Sequence, residues 1–136
     1  MRVYIDSSAL VKRSVDEAES DALEDALDRM AADGHDLFSS ALAVVEVSRV
    51  IRSRRDAEPP ASVVAATDRA LAGISIVPLD EQMVGLARRL GPASLRSLDA
   101  IHLSSAALLD ADLVCAYDAR LLTAAEELGF ATISPA

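Results

Sequence analysis

The chain has 136 residues, of which 51% are hydrophobic, so it can build the core of one compact domain and is not disordered throughout. Its single cysteine and two histidines exclude an internal disulfide and a Cys/His zinc cluster. No apolar run approaches the roughly 20 residues of a membrane span, and strand-like residues follow Met1 directly. We therefore expect a cytoplasmic protein with no signal peptide and no membrane partner.

The negative charge is concentrated in one segment of the chain. The formal net charge is -9, and residues 16–36 alone hold nine acids against the single base Arg29. If four of the remaining acids bind a metal ion, the rest of the chain carries more bases than acids. The acidic total therefore does not exclude RNA as a partner.

Strand and helix patterns alternate from one end of the chain to the other. In chain order, the first half predicts a strand over 2–5, a helical turn over 9–13, a helix over 16–32, a strand over 36–39, and helices over 41–55 and 61–72. The second half predicts a strand over 74–78, helices over 81–90 and 98–109, a strand over 112–116, a helix from Asp118 to Gly129, and a strand over 131–134.

This alternation predicts the α/β class. The strands are short and apolar on both faces, which is typical of a mostly parallel sheet covered by helices on both faces. We find no internal repeat or linker, so residues 1–136 are expected to form a single domain. In open α/β sheets, ligands bind beyond the carboxyl ends of the strands, and this is where functional side chains are expected.

Three aspartates occupy such positions. Asp6 directly follows the first strand, Asp118 lies two residues after the fourth, and Asp99 lies in the first turn of a helix. Each position also suits a helix cap or a turn, so no aspartate by itself distinguishes a structural role from a functional one. Asp112, which begins the fourth strand, should point away from the site.

Glu46 lies among apolar residues of the predicted helix 41–55, where an unpaired buried carboxylate would be costly. An ion pair with Arg49 or an exposed helix face would explain it without a function. Four carboxylates that met at one sheet edge would repel each other, and a hard cation such as Mg2+ or Mn2+ would relieve that repulsion. Such a site can activate water for attack on a phosphodiester.

Four segments combine these acids with characteristic neighbours: Val3 to Leu10 around Asp6, the helix that holds Glu46, Leu98 to Leu103 around Asp99, and Leu113 to Leu121 around Asp118. Together they resemble the PIN-domain ribonucleases and, more narrowly, the VapC-type toxins of type II toxin–antitoxin systems. The resemblance extends over essentially the whole chain.

The resemblance implies a PIN-like domain that cleaves single-stranded regions of RNA, with a small antitoxin partner and a homodimeric state. It assigns both catalysis and the binding of Mg2+, or Mn2+ as a substitute, to Asp6, Glu46, Asp99 and Asp118. Ser7 would orient Asp6, because a hydroxyl often follows the first acid in this family. Ala116 stands where many members have Ser or Thr.

Two other functions remain as alternatives. A metal-dependent phosphatase with an aspartate nucleophile also begins with a strand and an aspartate, but it needs a second acid where this chain has Ser8. A catalytically silent PIN-like interaction module would need none of the four acids. His102 is expected to be a packed or supporting residue and not a metal ligand.

Overall fold

The computed structural model describes residues Met1 to Ala136 and contains five strands and seven helices. The strands are β1 (Arg2–Ile5), β2 (Asp36–Ser40), β3 (Ser75–Val77), β4 (Leu113–Cys115) and β5 (Ala131–Ile133). The helices are α1 (Ser7–Val11), α2 (Ser20–Ala32), α3 (Ala41–Arg54), α4 (Pro60–Leu71), α5 (Glu81–Ala87), α6 (Ser97–Leu108) and α7 (Ala119–Glu127).

The five strands form one sheet in the spatial order β3-β2-β1-β4-β5, and every pairing is parallel. The central strand β1 contributes buried side chains to both faces, since successive side chains of a strand point in opposite directions. Helices link the strands in sequence, as parallel pairing requires. The predicted α/β class and parallel sheet are confirmed.

Two hydrophobic clusters cover the two faces of the sheet. Val3 and Ile5 of β1 pack with buried residues of α1, α2, α3 and α4. Tyr4, on the opposite face of β1, packs with Leu103 of α6 and Leu121 of α7, while α5 lies against α6. Helices therefore cover both faces, as the sequence predicted.

The helix of the acidic segment begins later than the sequence predicted. The predicted helix starts at residue 16, whereas α2 starts at Ser20. The Lys12 ammonium binds the carboxylates of Glu17 and Glu19 at 2.7 and 3.0 Å, and the Ser20 hydroxyl accepts the Glu17 amide. These contacts hold the residues before Ser20 in a turn against the end of α1.

The chain leaves β1 toward β2 and β3 and later returns to the other side of β1 with β4 and β5. This reversal places a crevice between the carboxyl ends of β1 and β4. The Asp6 amide donates to the Cys115 carbonyl at 2.9 Å, which joins the two strand ends at the crevice. None of the helices has the length and apolar character needed to cross a membrane.

Candidate active site

The crevice contains a small pocket of about 170 Å³ that holds all four acids singled out in the sequence. Its polar lining comes from β1 and α1, from α3, from α6, and from the residue before α7: Asp6, Ser7, Ser8, Glu46, Asp99, His102 and Asp118. Residues that are up to 112 positions apart in the chain thus meet at one edge of the sheet. Asp112 lies at the opposite edge, where its carboxylate accepts the Arg2 amide.

Asp6 is the most buried of the four acids, with 3% of its surface exposed. It is the N-cap of α1, and its Oδ2 atom accepts hydrogen bonds from the Ser8 amide at 3.1 Å and the Ser8 hydroxyl at 2.6 Å. The capping role and the pocket position therefore coexist in one residue. Oδ1 lies 3.4 Å from His102 Nε2, on the pocket side.

The hydroxyl that orients Asp6 belongs to Ser8 and not to Ser7, which corrects the expectation for Ser7. Ser7, the first residue of α1, instead helps to lower the pKa of Glu46 through a side-chain hydrogen bond. Ser8 Oγ also accepts the Tyr117 amide at 2.9 Å. Ser8 therefore connects Asp6 to the segment that carries the acid before α7.

Asp118 is the N-cap of α7, and its Oδ1 atom accepts the amides of Arg120 and Leu121 at 2.9 and 3.1 Å. These bonds fix the carboxylate at the mouth of the pocket, where the side chain is exposed. Because both bonds go to Oδ1, the Oδ2 atom makes no hydrogen bond with the protein. The helix start that the sequence predicted at Asp118 is confirmed.

His102 lies at the centre of the site, packed and hydrogen-bonded to its neighbours. Its Nε2 atom donates to Glu46 Oε1 at 2.6 Å, and its Nδ1 atom is hydrogen-bonded to the Tyr4 hydroxyl at 2.5 Å. The Tyr4 hydroxyl also lies within hydrogen-bond distance of Ser40 Oγ, at 3.2 Å. The imidazole is 2% exposed, so this chain of hydrogen bonds fixes the orientation of Glu46 from within the core.

The pairing of His102 and Glu46 changes the protonation of both groups. Burial raises the pKa of Glu46, but the hydrogen bond and charge of His102 outweigh burial and lower that pKa below its usual value. Burial lowers the pKa of His102, yet the bond to Glu46 and the charge of Asp6 raise it above its usual value. Glu46 therefore stays ionised while an adjacent positive charge is stabilised.

The pKa of Asp99 is raised above its usual value, in contrast to that of Glu46. Burial raises the pKa of Asp99, and the negative charges of Asp118 and Asp6 raise it further. The charges of His102 and Arg120 offset this repulsion only in part, and the Asp99 carboxylate makes no side-chain hydrogen bond with the protein. The pocket is thus a place where negative charge is incompletely compensated by the chain's own groups.

The donor chemistry of the pocket suits a hard divalent cation, because four carboxylates provide oxygen ligands. In the present arrangement, no group of three or more Asp, Glu, His or Cys side chains is placed to hold one ion directly. Asp6 and Glu46 instead lie 3.4 and 2.6 Å from His102 Nε2. Mg2+ commonly uses one or two carboxylates and keeps several waters, so the pocket still fits it.

Ser8→Ala should destabilise the fold by about 1–3 kcal/mol, because it removes two hydrogen bonds and leaves the partly buried Tyr117 amide without its acceptor. Urea unfolding measures this loss. Ser7→Ala is the matched control, since it removes the same group from a position that bonds neither Asp6 nor Tyr117. Equal destabilisation by both substitutions would contradict the role assigned to Ser8.

A family model and two curated relatives were found to match most of this chain. The model of the PIN domain family matches residues 3–127. Ribonuclease VapC47 of Mycobacterium tuberculosis is 42% identical over 98% of this chain and 96% of its own. Ribonuclease VapC46 of the same organism is 43% identical over 98% of this chain and 97% of its own.

Two solved structures share the fold. The toxin VapC20 of Mycobacterium tuberculosis, described as cleaving the sarcin-ricin loop, aligns with a TM-score of 0.70 at 15% identity, covering 98% of this chain and 99% of its own. VapBC2 of Rickettsia felis, solved with a fragment of promoter DNA, aligns with a TM-score of 0.75 at 11% identity over the whole of both chains.

Proposed function

The chain belongs to the PIN-domain family, and from that membership we propose that it is a metal-dependent endoribonuclease, the toxin of a toxin–antitoxin pair. Its substrate would be single-stranded regions of RNA. The observation that carries the proposal is the meeting of Asp6, Glu46, Asp99 and Asp118 in one pocket at the crevice between β1 and β4. The 42% identity to a ribonuclease over nearly the full chain supports it.

We assign the binding of Mg2+, or Mn2+ as a substitute, to Asp6, Asp99 and Asp118. A bound divalent ion supplies charge neutralisation at the phosphate and activation of water. The pKa of Asp99 is raised by burial and then by the negative charges of Asp118 and Asp6, and a bound cation would relieve that repulsion. Asp118 has a carboxylate oxygen free of protein partners at the mouth of the pocket.

We assign Glu46 to orienting the attacking water. Its lowered pKa keeps it ionised at neutral pH, and an ionised carboxylate accepts hydrogen bonds from water. His102 holds one carboxylate oxygen at 2.6 Å, which limits the directions from which a water can bind the other. His102 is therefore a positioning residue for Glu46 in this proposal.

The phosphatase alternative is disfavoured by the surroundings of Asp6. The position that would need a second acid holds Ser8, and its hydroxyl and amide both donate to Asp6 Oδ2. Ser8 therefore supports the carboxylate of Asp6 and cannot supply the second carboxylic acid that an aspartate-nucleophile phosphatase needs at this position. Hydrolysis by activated water fits the site better.

We also propose that a small antitoxin protein binds this chain and that the chain forms a homodimer. Large apolar side chains are exposed in the segments that carry two of the acids: Val45 precedes Glu46 in the chain and is 55% exposed, and Leu98 precedes Asp99 and is 50% exposed. Val50, which lines the pocket itself, is 37% exposed. Exposed apolar residues around a functional pocket are typical of a protein interface. A partner bound there would cover the acids.

The decisive test is incubation of the purified protein with a panel of structured and single-stranded RNAs, in Mg2+ and in excess EDTA, with cleavage sites mapped. We expect cuts in single-stranded regions that EDTA abolishes and added Mg2+ or Mn2+ restores. Cleavage that persists in EDTA would refute metal dependence. A folded protein that cuts no RNA in any metal would favour the silent interaction module.

A further inference from the structure

A second and larger cavity opens beside the acid pocket. It has a volume of about 480 Å³ and lies between the segment that leads into α6 and the exposed side of α7. Asp99 lines both cavities, so the larger one is continuous with the carboxylates. Whatever occupies it would extend toward the groups assigned to phosphodiester cleavage.

The end of this cavity near Asp99 is positively charged. Arg96 directly precedes α6 and Arg120 lies in the first turn of α7, and both side chains are exposed and line the cavity. Neither guanidinium takes part in any salt bridge of the structure. Two free arginines beside an acid pocket, in a chain of net charge -9, favour an anionic ligand.

The rest of the cavity is mainly apolar. Leu95 on one side and Ala124 and Leu128 on the other are partly buried and line its walls. Glu127 lies in the last turn of α7, well separated from Arg120 along the helix, and offers a carboxylate acceptor at the far end. A cationic end, an apolar middle and a distant acceptor match a phosphate, a base and the amino group of a base.

We propose that this cavity is a nucleotide subsite for the RNA substrate, in which Arg96 and Arg120 hold a phosphate next to the scissile bond and Leu95 and Leu128 contact the attached base. The inference rests on the proposed function and adds the residues that place the RNA. Arginine suits this task because its planar guanidinium forms two parallel bonds to phosphate oxygens. Glu127 would favour bases that carry an amino group.

The test is RNA binding without cleavage. A fluorescent single-stranded RNA is titrated in EDTA, and its Kd is read by fluorescence anisotropy. The double variant Arg96→Ala/Arg120→Ala should bind at least about tenfold more weakly. Its log Kd should also depend less steeply on log salt, by about 0.7 for each phosphate that the protein no longer neutralises.

Arg29→Glu is the matched control, because it lowers the net charge by the same amount as the double variant. Arg29 is exposed on α2, which packs on the opposite face of the sheet from α6 and α7. The control should keep the RNA affinity of the wild type to within about twofold, and circular dichroism should show all three proteins folded. A double variant that binds RNA as tightly as Arg29→Glu overturns the subsite.

Cleavage in Mg2+ is measured in parallel so that the two proposals can fail separately. Arginine-dependent affinity in EDTA with no cleavage by the wild type would support the subsite and refute the nuclease. Cleavage by the wild type with unchanged affinity in the double variant would support the nuclease and refute the subsite. The latter result would leave the cavity to another anion, such as an acidic segment of a protein partner.

Discussion

Asp99→Asn should lower kcat/KM for RNA cleavage at least about 100-fold, a loss typical of removing one charged group from a site that stabilises a transition state. The substitution keeps the size of the side chain and removes one negative charge from the pocket. It breaks no hydrogen bond within the protein, because the Asp99 carboxylate makes none. The loss should therefore appear in activity and not in folding.

The stability of the Asp99→Asn variant has a defined dependence on pH. The pKa of Asp99 is raised in the folded chain, chiefly by burial and then by Asp118, so its ionised form opposes folding above that pKa. In metal-free buffer the variant should melt at the same temperature as the wild type or higher at pH 7. Any advantage should disappear as the pH falls through the folded pKa and Asp99 becomes neutral.

Asp112→Asn is the control for this substitution. Asp112 lies at the opposite edge of the sheet, and an asparagine oxygen can still accept the Arg2 amide there. We expect wild-type cleavage from this variant. Full activity in Asp99→Asn, or an equal loss in Asp112→Asn, would mean that the catalytic site lies elsewhere.

The order and type of the elements could be predicted from local patterns, because each strand is a short apolar run and each helix has an apolar face. Boundaries that depend on which side chains come into contact in the folded chain could not be predicted in this way. The start of α2 is an example, since Lys12, four residues before the predicted start at 16, binds Glu17 and Glu19 in the turn. Nothing in the local pattern of residues 16–19 distinguishes that turn from a helix.

In the candidate site, the positions of some acids could be predicted from the sequence, whereas their hydrogen-bond partners could not. Asp6 and Asp118 could be predicted because the carboxyl ends of neighbouring parallel strands meet, whatever the details of packing. The partners of those acids depend on which way each side chain turns. Ser7 and Ser8 are chemically identical in the sequence, and only the path of α1 directs Ser8 toward Asp6.

His102 shows what the sequence leaves undetermined. Its spacing of three residues from Asp99 indicates a shared helix face, and this is the one local sign that it belongs to the site. Its bonds to Glu46 and Tyr4 join α6 to α3 and β1, which requires the packed fold. A histidine fixed between two acids and a tyrosine could not be distinguished from an ordinary core histidine beforehand.

Mg2+ should raise the melting temperature of the wild type by about 10 °C when the free ion is at about 100 times its Kd, since binding to the folded state alone then contributes about 2.7 kcal/mol. If the ion binds in the acid pocket, as we propose, the shift should vanish in Asp6→Asn. Asparagine retains an oxygen that can accept the Ser8 amide, which preserves the cap of α1. Differential scanning calorimetry with and without the ion measures both shifts.

The acidic segment 16–36 is the alternative site at which a cation could bind. The control variant must remove negative charge from this segment without breaking its ion pairs. Glu17 and Glu24 form ion pairs with Lys12 and Arg13, so neutralising them would disturb the fold as well as the charge. Asp25→Asn/Asp28→Asn removes two exposed charges of α2 that form no ion pair. This variant should keep the full Mg2+ shift. Exposed charges of α2 lie on another face of the protein, and solvent ions largely screen their effect on a cation bound in the acid pocket. If the double variant loses the shift and Asp6→Asn keeps it, the ion binds α2 and the pocket has no metal of its own.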